Sequence, residues 1–185
     1  MKFDTPLVQA DFHSPLGRII LAATSKGLAG LWFDNQRHLP PELLPAPAAP
    51  AQPGQRAPQA WPVDASHPVL QETSRQLAEY FAGTRTHFDL PLDLGYGTAF
   101  QQSVWQALLA IPAGDTTSYG ELSRRIGNPT AVRAVGAAVG RNPVSIIVPC
   151  HRVMGASGAL TGYAGGLERK SALLQLEGAL AEALL

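Results

Sequence analysis

One cysteine in 185 residues leaves nothing for an internal disulfide and excludes a zinc site of the cysteine-rich finger or ribbon kind. Charge is scarce too. Asp, Glu, Lys and Arg make up 15% of the chain and cancel to a net charge of zero, which by itself argues against a strongly basic nucleic-acid binder. No window approaches about 18 uninterrupted apolar residues, and the N-terminal MKFDTPLVQADF has no long apolar core, so neither a membrane span nor a secretion signal is expected. A reducing, cytoplasmic setting fits these absences. What is present is a chain 45% hydrophobic, long enough for one ordinary domain with a sizeable core or for two small ones.

The lone cysteine lies in Ser145-Ile146-Ile147-Val148-Pro149-Cys150-His151-Arg152-Val153. Ile146 to Val148 is short, β-branched and bounded by Pro143 and Pro149, which reads as a buried extended segment. A thiol attacks only as the thiolate, so its ordinary pKa of about 8.5 has to come down through nearby positive charge, an adjacent base or helix-terminal dipoles. His151 and Arg152 are candidates for that environment. A free cysteine is also among the most buried residue types and often no more than a small core hydrophobe. Two polar side chains directly after it weigh against that reading here.

The zero net charge hides an asymmetry. Residues 1–97 carry 7 Lys and Arg against 9 Asp and Glu, whereas residues 98–185 carry 7 against 5. Five arginines but only Asp115 and Glu121 fall between Asp115 and Arg152, so positive charge gathers around the cysteine, where a polyanion could be steered.

Along the chain, Leu7–Phe12, Gly17–Thr24 and Gly27–Phe33 are short runs of branched and aromatic residues separated by turn signals, the pattern of a β-meander. From Asn35 to about Pro68 the chain is rich in Pro, Ala and Gln without periodicity and reads as a long loop. Helical spacing returns over Pro68–Gly83, with Gly83 as a stop, and a short extended piece follows at His87–Leu94. No catalytic signature stands out in this half. Its histidines at 13, 38, 67 and 87 are scattered, and no metal is expected there.

Thr98–Ile111 reads as a helix with Phe100, Val104, Trp105, Leu108 and Leu109 on one face. Thr117 is placed to cap a helix over Ser118–Ile126, which Gly127-Asn128-Pro129-Thr130 breaks before another helix over Ala131–Gly140. Two short helices around a Gly-containing turn form a helix-turn-helix, whose second member enters a DNA groove. Ala131, Ala134, Gly136, Ala137, Ala138 and Gly140 leave that second helix flat, with Arg133 and Arg141 as its long side chains. Such a face suits sequence-tolerant contact in a minor groove, with Arg133 wedged into the base stack. An antiparallel helical hairpin packed through its small residues accounts for the same pattern.

Ser118-Tyr119-Gly120-Glu121-Leu122, Arg133-Ala134-Val135-Gly136, Asn142-Pro143-Val144, Pro149-Cys150-His151-Arg152-Val153, Gly162-Tyr163-Ala164-Gly165-Gly166 and Leu176-Glu177-Gly178 resemble, in order and spacing, the O6-alkylguanine-DNA alkyltransferases over residues 98–178. The resemblance implies an α+β protein: a small N-terminal module over 1–94, a three-stranded meander plus helix of ribonuclease-H-like form, then a mainly helical, winged helix-turn-helix-like domain over 95–185. It implies direct-reversal repair, in which an O6-alkylguanine, or an O4-alkylthymine, is flipped from duplex DNA and its alkyl group passes irreversibly to Cys150. In that scheme His151, acting through a water and oriented by Glu177, deprotonates Cys150, and Tyr119 donates its phenol proton toward N3 of the leaving guanine. Arg133 fills the gap in the stack, within a DNA-binding surface of Ala131, Arg133, Ala134, Gly136, Ala137 and Arg141. Asn142 is the hinge between helix and cysteine, and Val153, Tyr163 and Ala164 form the base pocket. No cofactor, metal, membrane or obligate protein partner is implied, and a monomer is expected. Ser145 stands where some members carry a second proline, which implies a pocket open to alkyl groups larger than methyl. Two other classes compete: a DNA-binding or alkylation-sensing module that does not repair, and a cysteine hydrolase of the Cys/His kind.

Overall fold

A computed structural model of the chain describes residues 3, 5–43 and 60–181. Strands β1 (Val8–Ser14), β2 (Gly17–Thr24) and β3 (Gly27–Phe33) form an antiparallel meander in the order β1-β2-β3. The alternation of β2 explains the sheet: Ile19, Leu21 and Ala23 point into the larger core, while Ile20 and Ala22 join Trp32 and Leu43 on the other face. Both faces are covered, so β3 buries all seven of its residues. Gly30 is required within it, because a Cβ there would fall 1.7 Å from the Trp32 ring. Helix α1 (Pro68–Phe81) packs Leu70, Leu77 and Tyr80 into the larger core, with Pro68 in its first turn and Gly83 at φ 76° just past its end.

Helix α2 (Ala99–Leu109) starts from a reciprocal cap, Gln101 N–H to Thr98 Oγ1 at 3.2 Å and Thr98 N–H to Gln101 Oε1 at 3.0 Å. Strand β4 (Thr117–Ser118) leads into α3 (Tyr119–Arg125), a turn at Gly127 leads into α4 (Val132–Gly140), and strand β5 (Val153–Met154) pairs in parallel with β4. Helix α5 (Leu167–Leu176) closes the described chain. The class is α+β, with a ribonuclease-H-like N-terminal module and a mainly helical C-terminal domain containing the helix-turn-helix α3–α4. One cluster of buried side chains runs without a break from β1–β3 and α1 into α2–α5.

Several local expectations need correction. Ser118, not Thr117, caps α3 through Glu121 N–H to Ser118 Oγ at 3.1 Å; Thr117 is buried in β4. Leu109 stands 37% exposed at the end of α2 and is not on its buried face. Ile146–Val148 is buried but is no strand: Ile146 has φ 70°, and Val148 N–H returns to Val144 O, so the segment is a tight turn. Among the described residues His87–Leu94 has no ladder, only a single parallel bridge between Leu28 and Leu92. Positions 44–59 of the expected 35–68 loop lie outside the described residues.

The edge of β3 away from β2 positions the site. Leu31 N–H donates to Pro143 O at 2.9 Å, and Ser145 N–H donates to Leu31 O at 3.0 Å. The sheet thereby holds the residues that carry the chain toward the cysteine.

Candidate active site

A cavity of about 130 Å3 opens beside α4, lined by Tyr119, Gly136, Val139, Gly140, Cys150, Gly162, Tyr163 and Ala164 together with Arg37 and His38. Cys150 begins a 3-10 turn, Cys150–Arg152, and is 5% exposed. Asn142, just past α4, closes the preceding turn: its Nδ2 donates to Val148 O at 2.7 Å and to Cys150 Sγ at 3.1 Å, while its Oδ1 accepts from Val144 N–H at 3.0 Å. One amide thus fixes the end of α4 against the thiol. It also offsets the strain of Ile146, about 1–2 kcal/mol for a β-branched residue in the left-handed region. Burial pushes the Cys150 thiol up; the Asn142 hydrogen bond, the Lys170 ammonium and nearby backbone N–H groups pull it down without prevailing. At rest the group is a neutral thiol, and reactivity requires a base.

His151 is fully buried, and its Nε2 lies 2.8 Å from Glu177 Oε1. Burial lowers the imidazole pKa, against the opposing pull of Glu177. A neutral ring that donates Nε2–H to the carboxylate leaves a lone pair on Nδ1, which has no hydrogen-bond partner among the described residues. Glu177 follows α5 as its C-cap. Burial raises its carboxyl, but hydrogen bonds from His151 and Arg152 and their charges outweigh this and hold it at about 2.

Arg152 departs from expectation. It does not face the thiol: Nε donates to Glu177 Oε2 at 2.9 Å, one terminal nitrogen donates to Glu177 Oε1 at 2.8 Å and the other reaches Ile111 O. It braces the carboxylate that holds His151. The cation near the sulfur is instead Lys170 on α5, fully buried, whose Nζ donates to the carbonyls of Val153, Thr161 and Gly162. Burial lowers this ammonium to about 8, with the charge of Cys150 acting against the shift. Neither Lys170 nor Tyr80, whose hydroxyl donates to Glu177 Oε1 at 2.7 Å, was singled out from the sequence. Tyr80 lies 97 positions from its partner, and no local pattern marks it.

The remaining expected residues are distributed as follows. Tyr119, at the start of α3, lines the cavity, and burial, then the charge of Cys150, raises its phenol, so it stays protonated as a donor. Tyr163 and Ala164 line the cavity, and Ala164 O accepts Arg37 N–H at 3.0 Å. Val153 is wholly buried in β5, outside the cavity lining, with its carbonyl taken by Lys170. Ser145 is 1% exposed, near Gln36, and does not reach the cavity either. On α4 and its flanks Arg133, Ala134, Ala137 and Arg141 are exposed and Ala131 and Gly136 half-buried, while Val135, Ala138 and Val139 face the core. Trp105 Nε1 donates to Ala138 O at 3.0 Å and seats this inner face on α2. The exposed Val132 extends the same outer surface.

Positive charge around the cysteine is sparser than counting suggests. Glu121 engages Arg124 and Arg125, and Arg152 turns inward, which leaves Arg133 and Arg141 on the α4 side without an ion pair among the described residues. Of the N-terminal histidines, His38 alone borders the cavity, with φ 63°. No cluster suited to a metal ion occurs among the described residues, and none of their helices is long and apolar enough to cross a membrane.

Two family models match the chain: 6-O-methylguanine DNA methyltransferase, ribonuclease-like domain, over residues 7–94, and 6-O-methylguanine DNA methyltransferase, DNA binding domain, over residues 99–179. A methylated-DNA--protein-cysteine methyltransferase of Mycobacterium tuberculosis is 66% identical over 102 residues, 55% of this chain and 61% of its own length. A relative of the same name from Mycobacterium leprae is 48% identical over 166 residues, covering 89% of this chain and 88% of its own. Among solved structures, the crystal structure of Mycobacterium tuberculosis OGT in complex with DNA superimposes with a TM-score of 0.74 at 45% identity, covering 94% of this chain and 92% of that one.

Proposed function

The chain belongs to the 6-O-methylguanine DNA methyltransferase family, and from that premise we propose that it repairs alkylated DNA by direct reversal, as a methylated-DNA-protein-cysteine S-methyltransferase that works once. The observation that carries the reading is the pairing of cavity and relay. Cys150 lines a cavity beside the exposed face of α4, and the next residue, His151, is hydrogen-bonded to Glu177 at 2.8 Å.

In the reaction the Cys150 proton passes through a water molecule to His151 Nδ1, while Nε2–H stays on Glu177. The thiolate attacks the alkyl carbon, so an S–C bond forms as the C–O6 bond breaks. The released electron pair is drawn into the guanine ring, Tyr119 gives its proton toward N3 so that a neutral base departs, and the proton held by His151 passes through solvent to restore the Tyr119 phenol. Asn142 holds the sulfur in line, and the loop with Tyr163 and Ala164 encloses the base; the wholly buried Val153 supports that pocket from behind. Nothing restores the thioether to a thiol, so each molecule turns over once.

The lesion reaches the cavity by flipping out of duplex DNA held against Ala131, Arg133, Ala134, Gly136, Ala137 and Arg141. Small side chains permit close approach, and Arg133 fills the vacated stack, offsetting part of an unstacking cost of a few kcal/mol. The protein acts as a cytoplasmic monomer, and O4-alkylthymine is a second substrate. Ser145 stands behind the cavity and not in its lining, and with serine there in place of a second proline the pocket accepts alkyl groups larger than methyl; transfer from O6-methyl- and O6-butylguanine duplexes tests this, and a rate collapse with butyl would count against it.

The decisive test is the intact mass after mixing with a duplex carrying O6-methylguanine, followed by peptide mapping. One added methylene per chain on the Cys150 peptide, absent in Cys150→Ser, is expected. An unchanged mass with DNA bound would favour a non-repairing binder, and neither binding nor transfer would point to a hydrolase.

A further inference from the structure

Every group assigned above to the chemistry belongs to the C-terminal domain, yet the carboxylate behind the base is not held by that domain alone. Glu177 Oε1 receives three donors: His151 Nε2 at 2.8 Å, Arg152 at 2.8 Å and the Tyr80 hydroxyl at 2.7 Å. Tyr80 comes from the last turn of α1 in the N-terminal module and is 2% exposed. Its ring is fixed edge-on to Phe81 and tilted against Phe88, both with centroids 5.3 Å away. A phenol with no freedom to swing is therefore aimed across the domain boundary at the oxygen that orients the histidine.

We propose that Tyr80 is a positioning residue for alkyl transfer, through which the N-terminal module sets the orientation and basicity of the Glu177–His151 pair. The inference rests on the repair reading and deepens it. A carboxylate oxygen shared among three donors has less negative charge to offer each, so the phenol restrains how strongly Glu177 holds a proton on His151. Without that donor, Glu177 stabilises the imidazolium more, the histidine stays protonated to higher pH, and less of it is available as base. The other groups facing the pair do not substitute for the phenol. Arg152 already uses three nitrogens on Glu177 and Ile111 O, Lys170 is committed to three carbonyls, and Cys150 and Tyr163 carry no charge at rest. The phenol does not ionise in competition, because burial, then the Glu177 charge, raises its pKa far above the ordinary value.

The experiment is single-turnover transfer from an O6-methylguanine duplex, measured from pH 5 to 9 with the full chain and its Tyr80→Phe variant, alongside duplex affinity. The acid limb of the variant should move to higher pH, with transfer about threefold to tenfold slower at pH 6, a smaller deficit at pH 8.5 and unchanged duplex affinity. A profile of unchanged shape, or a loss equal at every pH with only a lower melting temperature, would reduce Tyr80 to packing and overturn the inference. Should the phenylalanine variant not fold, 3-fluorotyrosine at position 80 decides alone. It keeps the packing and donates more strongly, so the acid limb should move to lower pH, and no movement would sink the proposal. Absence of transfer by the wild-type chain would overturn the repair reading and this inference together, whereas wild-type transfer with an unmoved variant profile overturns this inference only.

Discussion

In the N-terminal sheet, β3 places seven consecutive residues out of water, and the core around it is Ile19, Leu21, Leu28, Leu31 and Phe33. Around the cysteine the buried set includes Asn142, His151, Arg152 and Lys170, and the backbone there runs through short turns and the left-handed Ile146. The first arrangement gains free energy from apolar area, roughly 25 cal/mol for each Å2 removed from water. The second gains little from burying its charges, since desolvation offsets most of their attraction, but it holds each polar atom in one place. One half of the molecule thus supplies stability and the other spends some of it on geometry. The two share one continuous buried core, and the Leu31–Pro143 and Leu31–Ser145 hydrogen bonds and the Tyr80–Glu177 contact are among the polar links that join them.

The comparison is tested most severely by Glu177→Gln. The amide keeps the shape but leaves Arg152 buried without its counter-charge, so a loss of about 3–5 kcal/mol in urea unfolding is expected. Transfer by the folded fraction should also fall, roughly a hundredfold to ten-thousandfold. The same variant isolates an acid dependence. The Glu177 carboxyl moves from an ordinary 4.5 to about 2 on folding. Its contribution is therefore complete above about pH 4.5 and is lost as pH falls toward 2, amounting to about 3 kcal/mol. The wild type should lose that much more stability than the variant between pH 5 and pH 2, read as urea midpoints.

Leu21→Ala probes the opposite half. A cavity in the centre of the sheet should cost about 2–5 kcal/mol, yet transfer by the folded fraction should stay within about twofold of wild type. A large rate loss would mean that sheet packing, and not only its edge contacts, sets the site geometry. Arg133→Ala should leave stability unchanged, since the side chain is exposed on α4. It should slow transfer from duplex DNA by about tenfold to a hundredfold while leaving transfer from free O6-benzylguanine intact, because only the duplex needs a group to fill the stack.

The two halves also differ in how far they could be read from sequence. Alternating residues and turn signals place β1, β2 and β3, and helical spacing places α1 and α2, because each rests on local periodicity. Cys150 and His151 stand out as a lone cysteine with polar residues directly after it, Glu177 and Tyr119 follow only from motif resemblance, and the contact between His151 and Glu177 is visible only in the fold. Adjacency in sequence points Arg152 at the sulfur, whereas the 3-10 turn sends its guanidinium to Glu177. β-Branching favours an extended Ile146, and the Asn142 hydrogen bonds override that preference. Lys170 and Tyr80 carry no local signal at all: one is a lysine in an ordinary helical run, the other an aromatic in a core stripe.

The smallest expected effect sharpens the comparison most finely, because it concerns the same helix as Tyr80. Arg75 on α1 pairs with Glu72 and Glu79 at i−3 and i+4, and its side chain is 54% exposed. Such a pair in water is screened and costs side-chain entropy to hold, so Arg75→Ala should shift the melting temperature by no more than a degree or two. The helix would keep its place, since α1 is held by Leu70, Leu77 and Tyr80 in the core and not by its outer charges. Transfer should then match wild type at every pH. If Arg75→Ala moved the pH profile as Tyr80→Phe is expected to, the influence of the N-terminal module would reside in α1 as a whole. If only the Tyr80 change moves it, the influence of α1 on the reacting groups runs through a single phenol.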